Sequence, residues 1–252
     1  MSTKTHPKPK VALITGAARR IGAVIARILH ENGINVLIHY HQSQKEAQLL
    51  AENLNKIRPH SAKILSADLT DFSELKPLID KTIQAFGQLD ILINNASCFF
   101  KTEINTITHR MWNELINTNL TAPFFLSQAA FPHLAKQQGC IINISDIHGQ
   151  RPMRDYPVYC ISKAALNMLT KTLSRELGPD VRVNAISPGQ TIWPEAENAL
   201  SPVIKKKIIH RTALERHGSP DEIAKGVLFL IKDADYITGQ DIAIDGGRLL
   251  YI

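Results

Sequence analysis

The sequence predicts a single α/β domain built on a doubly wound parallel sheet with helices on both faces. Short apolar runs alternate with longer helix-patterned segments along the whole chain. Several runs are apolar at nearly every position, as strands buried on both faces require. Neither an internal repeat nor a low-complexity linker interrupts the alternation, so the 252 residues are expected to form one domain rather than two.

The first element expected is residues 1–9, a flexible basic tail in which Pro7 and Pro9 oppose helix, leaving 10–252 as the domain. Residues 11–15 (VALIT) form the first strand, and Thr15-Gly16-Ala17-Ala18-Arg19-Arg20-Ile21-Gly22 turns it into a helix over 21–32 that Gly33 ends. Glycines at such a junction permit a tight reversal and turn a helix N-terminus toward a pyrophosphate. The second strand covers 34–39. After it the chain reads His39-Tyr40-His41-Gln42-Ser43-Gln44-Lys45, with no acid before Glu46. A dinucleotide with a free ribose 2′-OH usually meets an acid there, whereas a 2′-phosphate meets cations such as Arg19, so NADPH is expected.

The third strand covers 62–66 and runs into Asp68-Leu69-Thr70. Asp68 either accepts from an adenine amino group or caps a turn. The fourth covers 91–94 and ends in Asn94-Asn95-Ala96-Ser97, small and amide residues that admit a cofactor or form a plain turn. The fifth, 140–145, leads into Asp146. A helix over 159–177 carries Tyr159 and Lys163 one turn apart on one face. There an ammonium is expected to lower the phenol's pKa and make it a better acid near neutral pH. The sixth strand covers 181–187 and the seventh 242–245. Between them lie a proline-rich loop over 190–201, expected as a lid, and a helix start at Ser219-Pro220-Asp221-Glu222.

Composition sets the outer limits. With 44% hydrophobic and 21% charged residues, collagen-like, disordered and disulfide-scaffold classes are excluded. Lys and Arg number 29 against 23 Asp and Glu, a net +6 of which Lys4, Lys8 and Lys10 supply three. The remaining +3 is too little to support a nucleic-acid partner and suits a small anionic ligand. Cys98, Cys140 and Cys160 are odd in number and lack metal-type spacing, so reduced thiols and no metal site are expected. The polar N-terminal segment lacks an export-signal core and the apolar runs are too short for a bilayer, so a cytoplasmic protein without membrane contact is expected.

The ordered set TGxxxxxG, NNA, the internal Asn119, YxxxK, Pro188-Gly189 and YITGQ…DGG resembles the short-chain dehydrogenase/reductase family from about Val11 to Gly247. That resemblance implies a Rossmann-type sheet, a nicotinamide cofactor and often a homotetramer. It makes Tyr159 the proton donor, sets Lys163 on the nicotinamide ribose, and gives Asn119 a water in a proton relay. Gly16, Ile21, Leu69, Asn95, Ala96, Pro188 and Gly189 become cofactor contacts. Three departures narrow it: Arg20 replaces the middle glycine, Asp146 the catalytic serine, and Ser97-Cys98-Phe99 follows NNA. With His41 and Ser43 after the second strand, these are similar to the pteridine reductases, whose substrate is a small pterin. In that resemblance Phe99 sandwiches the pterin, while Ser97 and Arg20 contact pterin or phosphates. Arg19, His41 and Ser43 hold the 2′-phosphate, and Trp193 belongs to a substrate loop at about 190–212. A carboxylate cannot donate to a developing alkoxide as serine does, but it can relay a proton to a C=N nitrogen. Ser145, next to Asp146, remains the residue through which a carbonyl reductase reading survives.

Overall fold

All strands of the computed structural model run parallel in one seven-stranded sheet of order β3-β2-β1-β4-β5-β6-β7. They are β1 (Val11–Ile14), β2 (Asn35–Tyr40), β3 (Ala62–Ser66), β4 (Ile91–Asn94), β5 (Cys140–Ile144), β6 (Arg182–Pro188) and β7 (Asp241–Ile244). The structure describes residues 8–193 and 200–251. Most of the expected tail, and Pro194 with Glu195 of the expected lid, lie outside the described residues.

Strand alternation divides the core in two. Ala12 and Ile14 of β1 pack on one face with α1 (Arg20–Glu31), α2 (Gln44–Ile57) and α8 (Pro220–Lys232). Leu13 between them packs on the other face with α3 (Leu75–Phe86), α5 (Ala122–Lys136) and α6 (Pro157–Glu176). Both faces of the sheet are therefore covered, which is why its strands read as unbroken apolar runs. Strand order reverses between β1 and β4, which opens a crevice at their carboxyl ends.

Two local details position that crevice. Helix α4 (His109–Ile116) runs through a π-turn, Asn117–Thr121, into α5, and this widened turn carries Asn119. Pro157 at the first position of α6 fixes where that helix starts, so it begins two residues before Tyr159. The stretch 190–212 is not irregular throughout, because α7 (Pro202–His210) lies within it. Ser201 accepts from the Ile204 N–H and Pro202 follows, the same Ser-Pro start that marks α8. The start of α8 is a full capping box between Ser219 and Glu222.

Candidate active site

Between the carboxyl ends of β1–β6 and α7 lies a cleft of about 1650 Å³. Its lining brings together Gly16, Arg19, Arg20, Ile21, His41, Ser43, Asp68, Leu69, Asn95, Ala96 and Ser97 with Phe99, Asp146, Tyr159, Lys163, Pro188 and Gly189. Residues separated by more than a hundred positions thus share one wall.

At the glycine turn the backbone comes too close for side chains. Gly16 has φ +60°, and a Cβ on it would lie 2.9 Å from the Ala96 Cα. A Cβ on Gly22 would lie 2.5 Å from Asn95 Nδ2 and 2.6 Å from the Gly16 carbonyl. Thr15 Oγ1 accepts from the N–H groups of Asn95 (2.9 Å) and Ala96 (3.0 Å), joining the ends of β1 and β4. His39 holds the turn from the other side. Its Nδ1 accepts from the Gly16 N–H at 3.0 Å and its Nε2 donates to the Ala67 carbonyl at 3.1 Å. Burial lowers His39 to about 4, so the ring is neutral and this tautomer holds. Arg19 makes no side-chain cap on α1, and no acid occupies the first turn of that helix. An uncapped N-terminus facing a cleft suits a pyrophosphate, and the Arg19 and His41 side chains reach the region after β2. There they lie 3.8 Å from Glu46 and Asp68 respectively. Asp68 is a turn aspartate, accepting from the Thr70 N–H at 2.8 Å and hydroxyl at 2.7 Å.

The opposite half of the cleft holds the acid–base groups. Tyr159 donates its hydroxyl to Asp146 Oδ2 at 2.8 Å. Asp146 Oδ1 accepts from the His148 N–H at 2.8 Å, which fixes the carboxylate over the end of β5. Burial, and then the Asp146 charge, push the Tyr159 phenol well above its ordinary value. This corrects the expected lowering by Lys163. That ammonium, 2% exposed, donates to the Ile144 carbonyl at 3.0 Å and lies 5.8 Å from the Tyr159 ring centroid. Burial lowers Lys163 to about 8, against the opposing pull of Asp146 and Cys98.

Ser145 is committed elsewhere. Its hydroxyl donates to Asn167 Oδ1, and Asn167 in turn donates to Asp241 at 2.7 Å. Rotating Ser145 toward a substrate would strip a buried amide oxygen of that partner. Asn119 stands behind the cleft wall rather than on it. Its Oδ1 accepts from Ser97 Oγ (3.1 Å) and the Cys98 N–H (2.8 Å), while its Nδ2 donates to the Cys98 carbonyl (3.1 Å) and Ser162 Oγ (3.0 Å). The amide is saturated, so its side chain fixes the Ser97-Cys98 segment and has no group left for a water. Burial raises the Cys98 thiol above its ordinary value despite a hydrogen bond to Thr118, which argues against a reactive thiol. Trp193 stands differently from the expected substrate contact. It is not part of the cleft lining and packs against His217 (5.9 Å) under Lys205 (5.4 Å).

Phe99 stacks on Tyr156 at 4.7 Å and 12°, and meets Tyr159 edge-on at 4.8 Å. Phe99 and Tyr156 make a flat aromatic surface beside the acid–base pair. Tyr156, Met153, His148, Ile208 and Arg248 also line the cleft and escape sequence reasoning. They sit on irregular segments or on α7, where no periodicity marks a ligand-facing side. Tyr156, three residues before Tyr159, carried the one available signal.

Comparison with known proteins places this geometry in a class. The family described as Enoyl-(Acyl carrier protein) reductase matches residues 16–248. The 3-oxoacyl-[acyl-carrier-protein] reductase FabG of Staphylococcus aureus is 36% identical over 244 residues, covering 96% of this chain and 98% of its own. Pteridine reductase 1 of Leishmania tarentolae is 33% identical, with 98% of both chains covered. Among solved structures, a blue fluorescent protein from a metagenomic library, in complex with NADPH, matches with a TM-score of 0.88 at 30% identity, covering 95% of this chain and 97% of its own. The chain belongs to the short-chain dehydrogenase/reductase family, a family of oxidoreductases.

Proposed function

We propose that the chain is an NADPH-dependent reductase of the C=N bond of a 7,8-dihydropterin or dihydrofolate. The observation that carries this is the Tyr159–Asp146 hydrogen bond, 2.8 Å long, at the place where a carbonyl reductase needs a second hydroxyl donor. A carboxylate beside a developing alkoxide repels it. A ring nitrogen that must gain a proton is served by the same pair.

NADPH supplies the hydride that adds to carbon. The uncapped α1 N-terminus, with Gly16 and Gly22, would hold its pyrophosphate, and Arg19, His41 and Ser43 its 2′-phosphate. Lys163 would lie on its nicotinamide ribose. Tyr159 holds the proton for the ring nitrogen, and Asp146 orients that hydroxyl and accepts from pterin N–H groups. The Phe99 ring would cover one side of a flat heterocycle and shield it from water.

A 3-oxoacyl thioester reductase is the second reading, favoured by the 36% identity to the Staphylococcus aureus enzyme. Ser145 would have to leave Asn167 to serve it. The two part on kcat/KM for a dihydropterin and an acetoacetyl thioester in wild type, Asp146→Ala, Asp146→Ser and Ser145→Ala. Asp146→Ala is expected to lose about 10²–10⁴-fold on the dihydropterin, and Asp146→Ser to lose pterin activity without losing ketone activity. Efficient thioester reduction that depends on Ser145, without pterin turnover, overturns the pterin reading.

A further inference from the structure

Part of the cleft lining is not used by the acid–base chemistry. It includes Leu200, Ile204 and Ile208. Ile204 and Ile208, four apart, share one side of α7, and Leu200 lies just before the helix, while Lys205, Lys206 and Lys207 fall outside the lining. The stripe ends at Arg248, the half-buried guanidinium that follows β7 and the Gly246-Gly247 turn.

Arg248 Nη1 donates to the Ile208 carbonyl at 3.1 Å, which anchors the guanidinium at the last turn of α7. That contact uses one of its five N–H groups. The acid nearest in sequence, Asp245, is occupied by backbone: its Oδ1 accepts from the Gly247 N–H and its Oδ2 from the Leu249 N–H, each at 2.8 Å. Among the described residues no carboxylate lies within 4.0 Å of Arg248. Burial, and then the neighbouring Arg211 charge, lower its pKa, and the Asp245 charge opposes them only in part. An apolar stripe ending in an under-neutralised, fork-shaped cation matches a ligand with an apolar linker and a terminal anion.

We infer that Arg248 selects the substrate by charge, receiving a carboxylate or phosphate at the end of an apolar substituent whose ring lies at Phe99. This rests on the pterin reading for the ring. The anion site itself rests on Arg248 and the α7 stripe.

The test is kcat/KM on three substrates: dihydrobiopterin with a neutral side chain, dihydrofolate with a carboxylate tail, and a 7,8-dihydropterin with a phosphoalkyl chain at C6. Wild type, Arg248→Gln and Arg248→Lys are compared. Arg248→Gln is expected to cost the anionic substrates about tenfold more than the neutral one, chiefly through KM, a difference of about 1.4 kcal/mol. Arg248→Lys should restore part of it, and the anion losing more names the tail. Equal losses on all three, or no loss, overturn the inference and leave Arg248 as an anchor for α7. Calorimetric binding of 4-aminobenzoylglutamate to the NADPH-loaded protein separates this from the ring assignment. If no pterin turns over but this fragment binds wild type and not Arg248→Gln, the pterin reading fails and the anion site stands. Failure of wild type to bind the fragment, with no anionic preference in kcat/KM, removes the anion site alone.

Discussion

In the proposed reaction Tyr159 supplies the proton, and its hydroxyl donates to Asp146. Tyr159→Phe removes one oxygen and little volume, so it is expected to retain NADPH binding while losing about 10²–10⁴-fold in turnover. Near-normal turnover of a dihydropterin by that variant would mean another group supplies the proton. Lys163 is expected to make the activity depend on pH from the alkaline side. Burial lowers its ammonium from 10.5 to about 8, so the charge is lost as pH rises through about 8. Turnover is expected to fall above that point, and a flat profile to pH 10 would exclude a role for the charge. Stability runs the opposite way. Between about 8 and 10.5 the unfolded chain keeps a proton that the folded chain has released, so this residue's contribution rises with pH. The Tm difference between wild type and Lys163→Met, followed across that window, checks the sign.

At the scale of elements, α8 is the helix whose local signals agree most fully. Ser219 accepts from the Glu222 N–H while Glu222 accepts from the Ser219 N–H at 2.7 Å, and Arg216 adds a 2.6 Å ion pair to the same carboxylate. Ser219→Ala is expected to cost about 0.5–2 kcal/mol of stability. It is also expected to leave kcat/KM unchanged, because α8 packs behind the sheet on the α1 side. Denaturant unfolding beside a turnover assay measures both. Element boundaries were legible where residues have strong conformational preferences, as at Gly33 and Pro220. The helix α7 was missed although Ser201-Pro202 repeats the α8 signal, because the surrounding prolines read more strongly as loop.

Across the whole molecule, the choice of NADPH is expected to rest on residues from two separate segments. No acid stands between His39 and Lys45, Arg19 comes from the glycine turn, and His41 and Ser43 follow β2. At least a tenfold preference for NADPH over NADH in kcat/KM is expected, about 1.4 kcal/mol of charge-assisted contact. Binding should also be visible as stabilisation, by about 2.7 kcal/mol at a hundred times Kd. Equal kcat/KM with the two cofactors would overturn the assignment. Among the described residues no helix is long and apolar enough to cross a membrane.

By itself the sequence determined the sheet, because strands buried on both faces must be apolar at successive positions and helices between them must show one apolar side. It also put Tyr159 and Lys163 on one helix face, and the family resemblance drew attention to Asp146 at the end of a strand. Only the tertiary structure decided what those groups do to one another. The phenol is raised rather than lowered because it is buried and donates to the charged Asp146, while Lys163 turns to the Ile144 carbonyl. The Ser145 hydroxyl is withdrawn into Asn167, and Trp193 packs on His217 and Lys205. Spacing along a chain fixes which residues share a helix face or a strand end. Hydrogen-bond partners and burial depend on residues brought together from distant segments, and those set protonation, orientation and access.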